Sequence, residues 1–246
     1  MKAIVQTRYG SPDDLERREV EKPAVGDDQV LVRVHAASVH PDVWHVVAGR
    51  PLILRLMGAG LSRPRNPIPG TDMAGIVESV GAGVTRFWPR DAVFGETAVT
   101  NVWTHGGAFA EYVSVPQDLL ALKPENVTFE QAASVPTSGF IVLQNLREGA
   151  ELSGRKVLVN GAGGGAGALA LQIAKAYGAH VTAVDGTSKL SMLRALGADE
   201  VMDYTQEDFT RGGARSSLRG AMCSSGTRSS EHRESEFLGS SRTFSG

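Results

Sequence analysis

The chain has 246 residues, with 25 basic and 27 acidic side chains for a net charge of −2, and it is 41% hydrophobic and 21% charged. That balance suits a soluble globular protein of one large or two modest domains. A single cysteine, Cys223, excludes an intramolecular disulfide and any zinc site built on three or four cysteines. No apolar run reaches the length of a membrane span, the N-terminus does not read as a signal peptide, and no basic block invites nucleic acid. The expectation is a cytoplasmic protein with neither a membrane nor a nucleic-acid partner.

Residues 1 to about 125 hold short runs of branched and aromatic residues at 3–5, 29–34, 75–80, 92–94 and 109–115, separated by Gly, Pro and Asp. Such runs suit a pleated, half-buried surface and predict a compact β domain, a distorted barrel. The stretch 50–69 contains Pro51-Leu52-Ile53-Leu54-Arg55-Leu56-Met57 and allows three readings: a lid over a cleft, a buried hairpin or an oligomer contact. Thr128 followed by Gln131 is a capping-box signal for a short helix ending before Pro136. A second helix is expected over 139–147, with Phe140, Leu143 and Leu146 on one face.

Strand and helix then alternate: a strand at 156–160, a helix at 166–177 with Leu169, Ile173 and Ala176 at helical spacing, a strand at 180–184, a helix at 189–196 closed by Gly197, and a strand at 200–204. This β-α-β-α-β order predicts a parallel sheet. The fold class is therefore α/β: a β domain over 1–125, the first half of a doubly wound sheet over 126–211, and a tail over 212–246. Of the tail's 35 residues, 10 are Ser, 6 Gly and 5 Arg, and no Val or Ile follows Val201. Nothing there reads as able to build a central strand. Two readings stay open: a disordered low-complexity tail, or an original sequence that stops near Arg211 with out-of-frame translation beyond it. The abruptness of the break favours the second.

The strongest motif is Asn160-Gly161-Ala162-Gly163-Gly164-Gly165-Ala166-Gly167, placed after a strand and before a helix. Its best register is Ala162-x-Gly164-x-x-Gly167, a variant of the dinucleotide fingerprint. Gly164 lets the backbone approach a pyrophosphate, and Gly167 lets helix and strand pack closely. Gly163, Gly164, Gly165, Ala166 and Gly167 are candidate phosphate contacts through backbone N–H groups and the helix dipole. Asp185 ends the next strand, where an acid commonly takes ribose hydroxyls and favours NAD. Lys189, four residues on, could pair with the 2′-phosphate of NADP. Asp185 also reads as a turn acid, and Lys189 as part of a solvated face.

Taken with Ala36-Ala37-Ser38-Val39-His40-Pro41-Asp42-Val43-Trp44, Pro69-Gly70-Thr71-Asp72-Met73-Ala74-Gly75-Ile76-Val77, Gly106-Gly107-Ala108-Phe109-Ala110-Glu111-Tyr112 and Ala132-Ala133-Ser134-Val135-Pro136, the chain resembles the medium-chain dehydrogenase/reductase superfamily in its zinc-independent quinone oxidoreductase (zeta-crystallin-like) branch. The resemblance implies a GroES-like β domain and a Rossmann domain with the active site between them. Zinc-dependent members bind metal through Cys, His and Cys; here His40 and Thr71 stand at the first two positions. A zinc site from His40, Asp42 and His45 is not expected, because close sequence neighbours rarely complete a tetrahedron. The resemblance implies hydride transfer from NADPH or NADH to a quinone or an α,β-unsaturated carbonyl, with a zinc-independent alcohol dehydrogenase or aldehyde reductase as the other enzyme reading.

His40, Trp44 and Thr71 are the candidate catalytic residues, with His40 donating a hydrogen bond or delivering a proton unless it is simply a packed histidine. The resemblance implies that Thr137 lies near the nicotinamide, unless it only caps a helix. It also implies that Lys189 and Tyr204 contact a 2′-phosphate, so NADPH is slightly favoured over NAD although Asp185 opposes it. Only the first half of the Rossmann pattern is readable. A chain of this length is therefore expected to be weakly active or a non-catalytic nucleotide-binding product, and dimerisation through the later sheet edge is not expected.

Overall fold

The computed structural model describes residues 1–53, 55–97, 106–146 and 152–207, and the backbone of 221–223. Lys2–Val5 (β1) pairs antiparallel with Glu16–Glu19 (β2). Gln29–Ala37 (β3), Asp72–Val80 (β4), Ala92–Glu96 (β5), Tyr112–Pro116 (β6) and Leu120–Leu122 (β7) form an antiparallel sheet in the order β6-β3-β4-β5-β7. Val30, Val32, Met73, Val77, Val93 and Val115 from these strands fill one core. Each run of branched residues expected to be a strand lies on one, although β6 begins at Tyr112 and Ala110 makes only an isolated bridge to Ala3. No pattern announced β2: its sequence, Glu-Arg-Arg-Glu, is wholly exposed, and its backbone pairs with β1 whatever its side chains are.

Pro41–Ala48 forms a helix (α1) directly after His40. Pro41 sits in its first turn, where a missing N–H costs nothing, and Gly49 ends it at φ 61°. The stretch 50–69 is not a buried hairpin, because Leu52, Ile53, Leu56 and Leu61 are exposed; its Leu54 lies outside the described residues. Phe129–Ala133 (α2) begins with the expected capping box at Thr128 and packs Ala132 and Ala133 beside Ala74. The next helix, Pro136–Asn145 (α3), starts three residues before the expected 139, and residue 147 lies outside the described residues. Its buried side is Thr137, Gly139 and Val142, whereas Phe140 and Leu143 face outward. The reason is steric: a face carrying glycine admits a neighbouring helix more closely than one carrying phenylalanine.

Lys156–Asn160 (β8), Gly165–Ala176 (α4), His180–Asp185 (β9), Leu190–Ala195 (α5) and Glu200–Asp203 (β10) follow the expected alternation, and the strands are parallel. Leu171, Ala174, Val157, Val159, Val181 and Leu193 lie in their shared core. Along α4, the side that turns inward fully is Ala170, Leu171 and Ala174; Leu169 and Ile173 are only partly buried. Ala221–Cys223 (β11) pairs parallel with β8, giving the order β10-β9-β8-β11. β11 is a three-residue strand at the edge of this sheet, so it is not the central strand that the tail was read as unable to build. The open edge of β8 offers main-chain donors and acceptors, which select partners by backbone and not by branched side chains. The rest of 212–246 lies outside the described residues.

Candidate active site and nucleotide turn

The antiparallel pairing of β3 with β4 sets Ala37 opposite Met73, which brings the residues just beyond each strand end together. His40 Nε2 therefore lies 2.8 Å from Thr71 Oγ1. Thr71 Oγ1 is also 3.3 Å from Asp72 Oδ1. Asp72 is 2% exposed, and its carboxylate accepts from the Thr137 backbone N–H at 3.0 Å and the Thr137 hydroxyl at 2.6 Å. His40, Thr71 and Thr137, singled out separately in sequence, are thus joined through one buried carboxylate. The His40 Nδ1 is buried without a hydrogen-bond partner, 3.7 Å from Asp42 Oδ2. Asp42 is in the first turn of α1, so the helix sets its carboxylate beside the ring.

Glu96, opposite Asp72 across β4 and β5, was not foreseen as a site residue. Burial, then the charges of Asp72 and Asp42, push its carboxyl up to about 7, with the Thr137 hydroxyl pulling the other way. Neither acid announced itself in sequence beyond a charged residue at the end of an apolar run. Trp44 is on the exposed side of α1, its ring edge-on to His45 at 5.0 Å. It is not drawn into the His40–Thr71 pair.

These donors do not fit zinc. Threonine is no ordinary zinc ligand, both Asp72 oxygens are engaged by protein donors, and His45 Nδ1 turns to the Arg50 carbonyl at 2.9 Å. Among the described residues, no group of three or more His, Cys, Asp or Glu side chains is placed to hold a metal ion.

The glycine turn leads from β8 into α4. Gly161 adopts φ 73°, and Gly164 is the residue before the helix. A Cβ on Gly167 would stand 2.2 Å from the Gly161 carbonyl oxygen, so only glycine lets α4 start this close to the strand. The first-turn N–H groups of Gly165, Ala166 and Gly167 have no acceptor within an α-helix and face the end where an anion is stabilised. This cradle fits a pyrophosphate. Asp185 is buried, accepting from the Gly163 N–H at 2.7 Å and the Gly186 N–H at 2.8 Å. It fastens the glycine turn to the end of β9. Lys189 lies across the turn, donating to the Gly163 carbonyl at 3.2 Å with its ammonium 3.8 Å from Asp185. Tyr204 follows β10 and is exposed; a Cβ on Gly186 would lie 3.6 Å from its hydroxyl.

Two family models match parts of the chain. Residues 26–125 match the alcohol dehydrogenase GroES-like domain, and residues 165–215 match the zinc-binding dehydrogenase family. The chain is 37% identical over 215 residues to 2-methylene-furan-3-one reductase from Solanum lycopersicum, covering 85% of this chain and 53% of that protein. It is 36% identical over 216 residues to the chloroplastic NADPH-dependent alkenal/one oxidoreductase of Arabidopsis thaliana, covering 85% of this chain and 54% of the relative. The solved quinone oxidoreductase of Coxiella burnetii superposes with a TM-score of 0.74 at 32% identity, over 85% of this chain and 64% of that one. The chain thus spans a little over half the length of these curated relatives.

Proposed function

We propose, from the premise that the chain belongs to the medium-chain dehydrogenase/reductase superfamily, that its machinery reduces a quinone or an α,β-unsaturated carbonyl with NADPH and without zinc. The observation that carries this reading is Asp72. It ties the His40–Thr71 pair to Thr137 at the start of α3, so a donor pair and the approach to the nucleotide turn share one buried anchor. The division into a substrate domain over 1–125, a nucleotide domain over 126–211 and a tail over 212–246 belongs to the same reading, as does a cytoplasmic location.

When bound, the reduced nicotinamide supplies a hydride. The residues of this chain then have separate tasks. The N–H groups of Gly165, Ala166 and Gly167 hold the pyrophosphate. Lys189 and Tyr204 receive the 2′-phosphate: both are accessible, whereas both Asp185 oxygens already accept main-chain N–H groups. Hydride arrival at the electrophilic carbon moves charge onto the substrate oxygen. His40 is held through Nε2 by Thr71, and its Nδ1, which has no hydrogen-bond partner, is the atom assigned to stabilise that charge and lead a proton toward it. Enones and quinones need no Lewis acid, which matches a donor set unsuited to zinc.

The test is NADPH binding to the 246-residue chain, then NADPH consumption with an enone and a quinone. His40→Asn is expected to lower kcat about 10²–10³-fold with NADPH affinity unchanged. Absence of NADPH binding, or a His40→Asn variant as active as the parent, overturns the assignment.

A further inference from the structure

We propose that the segment 50–67 is a docking surface for an anionic phospholipid bilayer. Between Asp42 and Asp72 the chain has no acidic residue, yet it carries Arg50, Arg55, Arg63 and Arg65. Aliphatic residues alternate with them, and they project outward: Leu52, Ile53, Leu56 and Leu61 are 66%, 55%, 70% and 68% exposed. Four large aliphatics exposed on one segment, with four cations and no counter-charge, fit a surface that is apolar within and negative at its face. Nucleic acid would be met by bases stacking on aromatic rings, and this segment presents leucine and isoleucine instead.

A cavity of about 790 Å³ lies beside the same segment, lined by Arg18, Arg55, Arg63, Arg65, Leu61 and Gln6. Arg18 is paired with Glu16 at 2.6 Å, and Arg55 donates to the Gly49 carbonyl and lies over the Tyr9 ring at 4.2 Å. Arg63 and Arg65 have no carboxylate partner among the described residues and are exposed. Gln6 is buried, and its amide N–H groups donate to the Arg8 and Val47 carbonyls. Its Oε1 is left without a partner. Free guanidinium groups suit a phosphate, and an unused acceptor suits a hydroxyl. Together they suit a hydroxyl-bearing anionic headgroup, with the exposed aliphatics reaching the acyl chains. The segment is secured from behind: the Tyr9 hydroxyl donates to the Ala59 and Gly60 carbonyls at 2.7 Å, and the Gln6 N–H donates to the Pro67 carbonyl at 2.7 Å. A net charge of −2 for the whole chain conceals this local excess.

The test is flotation of the full chain with vesicles of phosphatidylcholine alone and of phosphatidylcholine mixed with phosphatidylglycerol, at low and high salt. The chain is expected to float with the anionic vesicles only and to be released by salt. Arg63→Gln and Arg65→Gln should each weaken binding about fivefold. Leu52→Ser combined with Leu56→Ser and Leu61→Ser should abolish flotation, with an unchanged thermal melt showing that the variant is folded. No flotation, equal flotation with neutral vesicles, or a serine variant that floats like the parent overturns the proposal. So does release by glycerol phosphate with no effect of the serine substitutions, which would make the cavity a site for a free phosphate compound.

Discussion

Glu96 shows how a single side chain can carry information that its sequence neighbourhood hides. Burial raises its carboxyl first, and the charges of Asp72 and Asp42 raise it further, to about 7. The folded chain thus keeps this proton to near neutrality, whereas an unfolded glutamate releases it near pH ~4.3. Between these values the folded state binds more protons, so stability contributed by this group falls as pH rises and is lowest above about pH 7. Glu96→Gln should remove that slope and raise stability at alkaline pH by about 1 kcal/mol, a figure reduced from the full shift because the group is only half-buried. Urea unfolding of parent and variant across that pH range checks this; parallel slopes would show that Glu96 does not titrate there. At the same scale, His40 and Thr71 were legible as candidates, but Asp72 was only part of a quoted motif. Its role comes from a contact with Thr137, 65 positions away, which no local pattern encodes.

Elements with a strong internal period were read closely. The helix expected over 166–177 is Gly165–Ala176, and the strand expected over 180–184 is His180–Asp185. The glycine turn between β8 and α4 has two glycines whose substitutions should differ. Gly167→Ala drives a Cβ to 2.2 Å from a backbone oxygen, and the strand and helix must separate. We expect a loss of about 1–3 kcal/mol together with loss of NADPH binding. Gly163→Ala instead meets Lys189 Cδ at 2.3 Å, the flexible part of a side chain, although Asp185 Oδ2 at 2.9 Å must also yield. It should cost less stability and chiefly weaken the preference for NADPH over NADH. Thermal melts and titrations with both dinucleotides separate the two; equal stability losses would show the turn to be deformable. Elements of low periodicity escaped the reading. β2 has no apolar residue, α1 is short, and β11 has three residues, so each exists through a neighbour's hydrogen-bonding edge or a local cap.

At the scale of the molecule, the antiparallel and parallel sheets are tied at Asp72. The strand that bears it lies in the antiparallel sheet, and Thr137 begins the helix that packs beside α4. Asp72→Ala would leave the Thr137 N–H buried without an acceptor, at about 1–3 kcal/mol, while the Thr137 hydroxyl keeps Glu96 within reach. We expect a lowered urea midpoint and faster hydrogen exchange at the Thr137 amide. Unchanged protection there would show that α3 is held without Asp72. NADPH should offset part of this loss, since a ligand at a hundred times its Kd adds about 2.7 kcal/mol to a folded state that alone binds it.

The sequence by itself determined the fold class, the run of β-α-β-α-β elements and the position of the glycine turn. These rest on short-range physics: side-chain period, capping residues, and glycines where a Cβ cannot fit. Tertiary structure decided which side of α3 is buried, that Leu52, Ile53, Leu56 and Leu61 face outward, that burial and neighbouring acids raise the Glu96 carboxyl, and that Asp185 is spent on the backbone of the glycine turn. Burial and charge coupling depend on what the chain brings near a residue, and those neighbours are set by the pairing of distant strands.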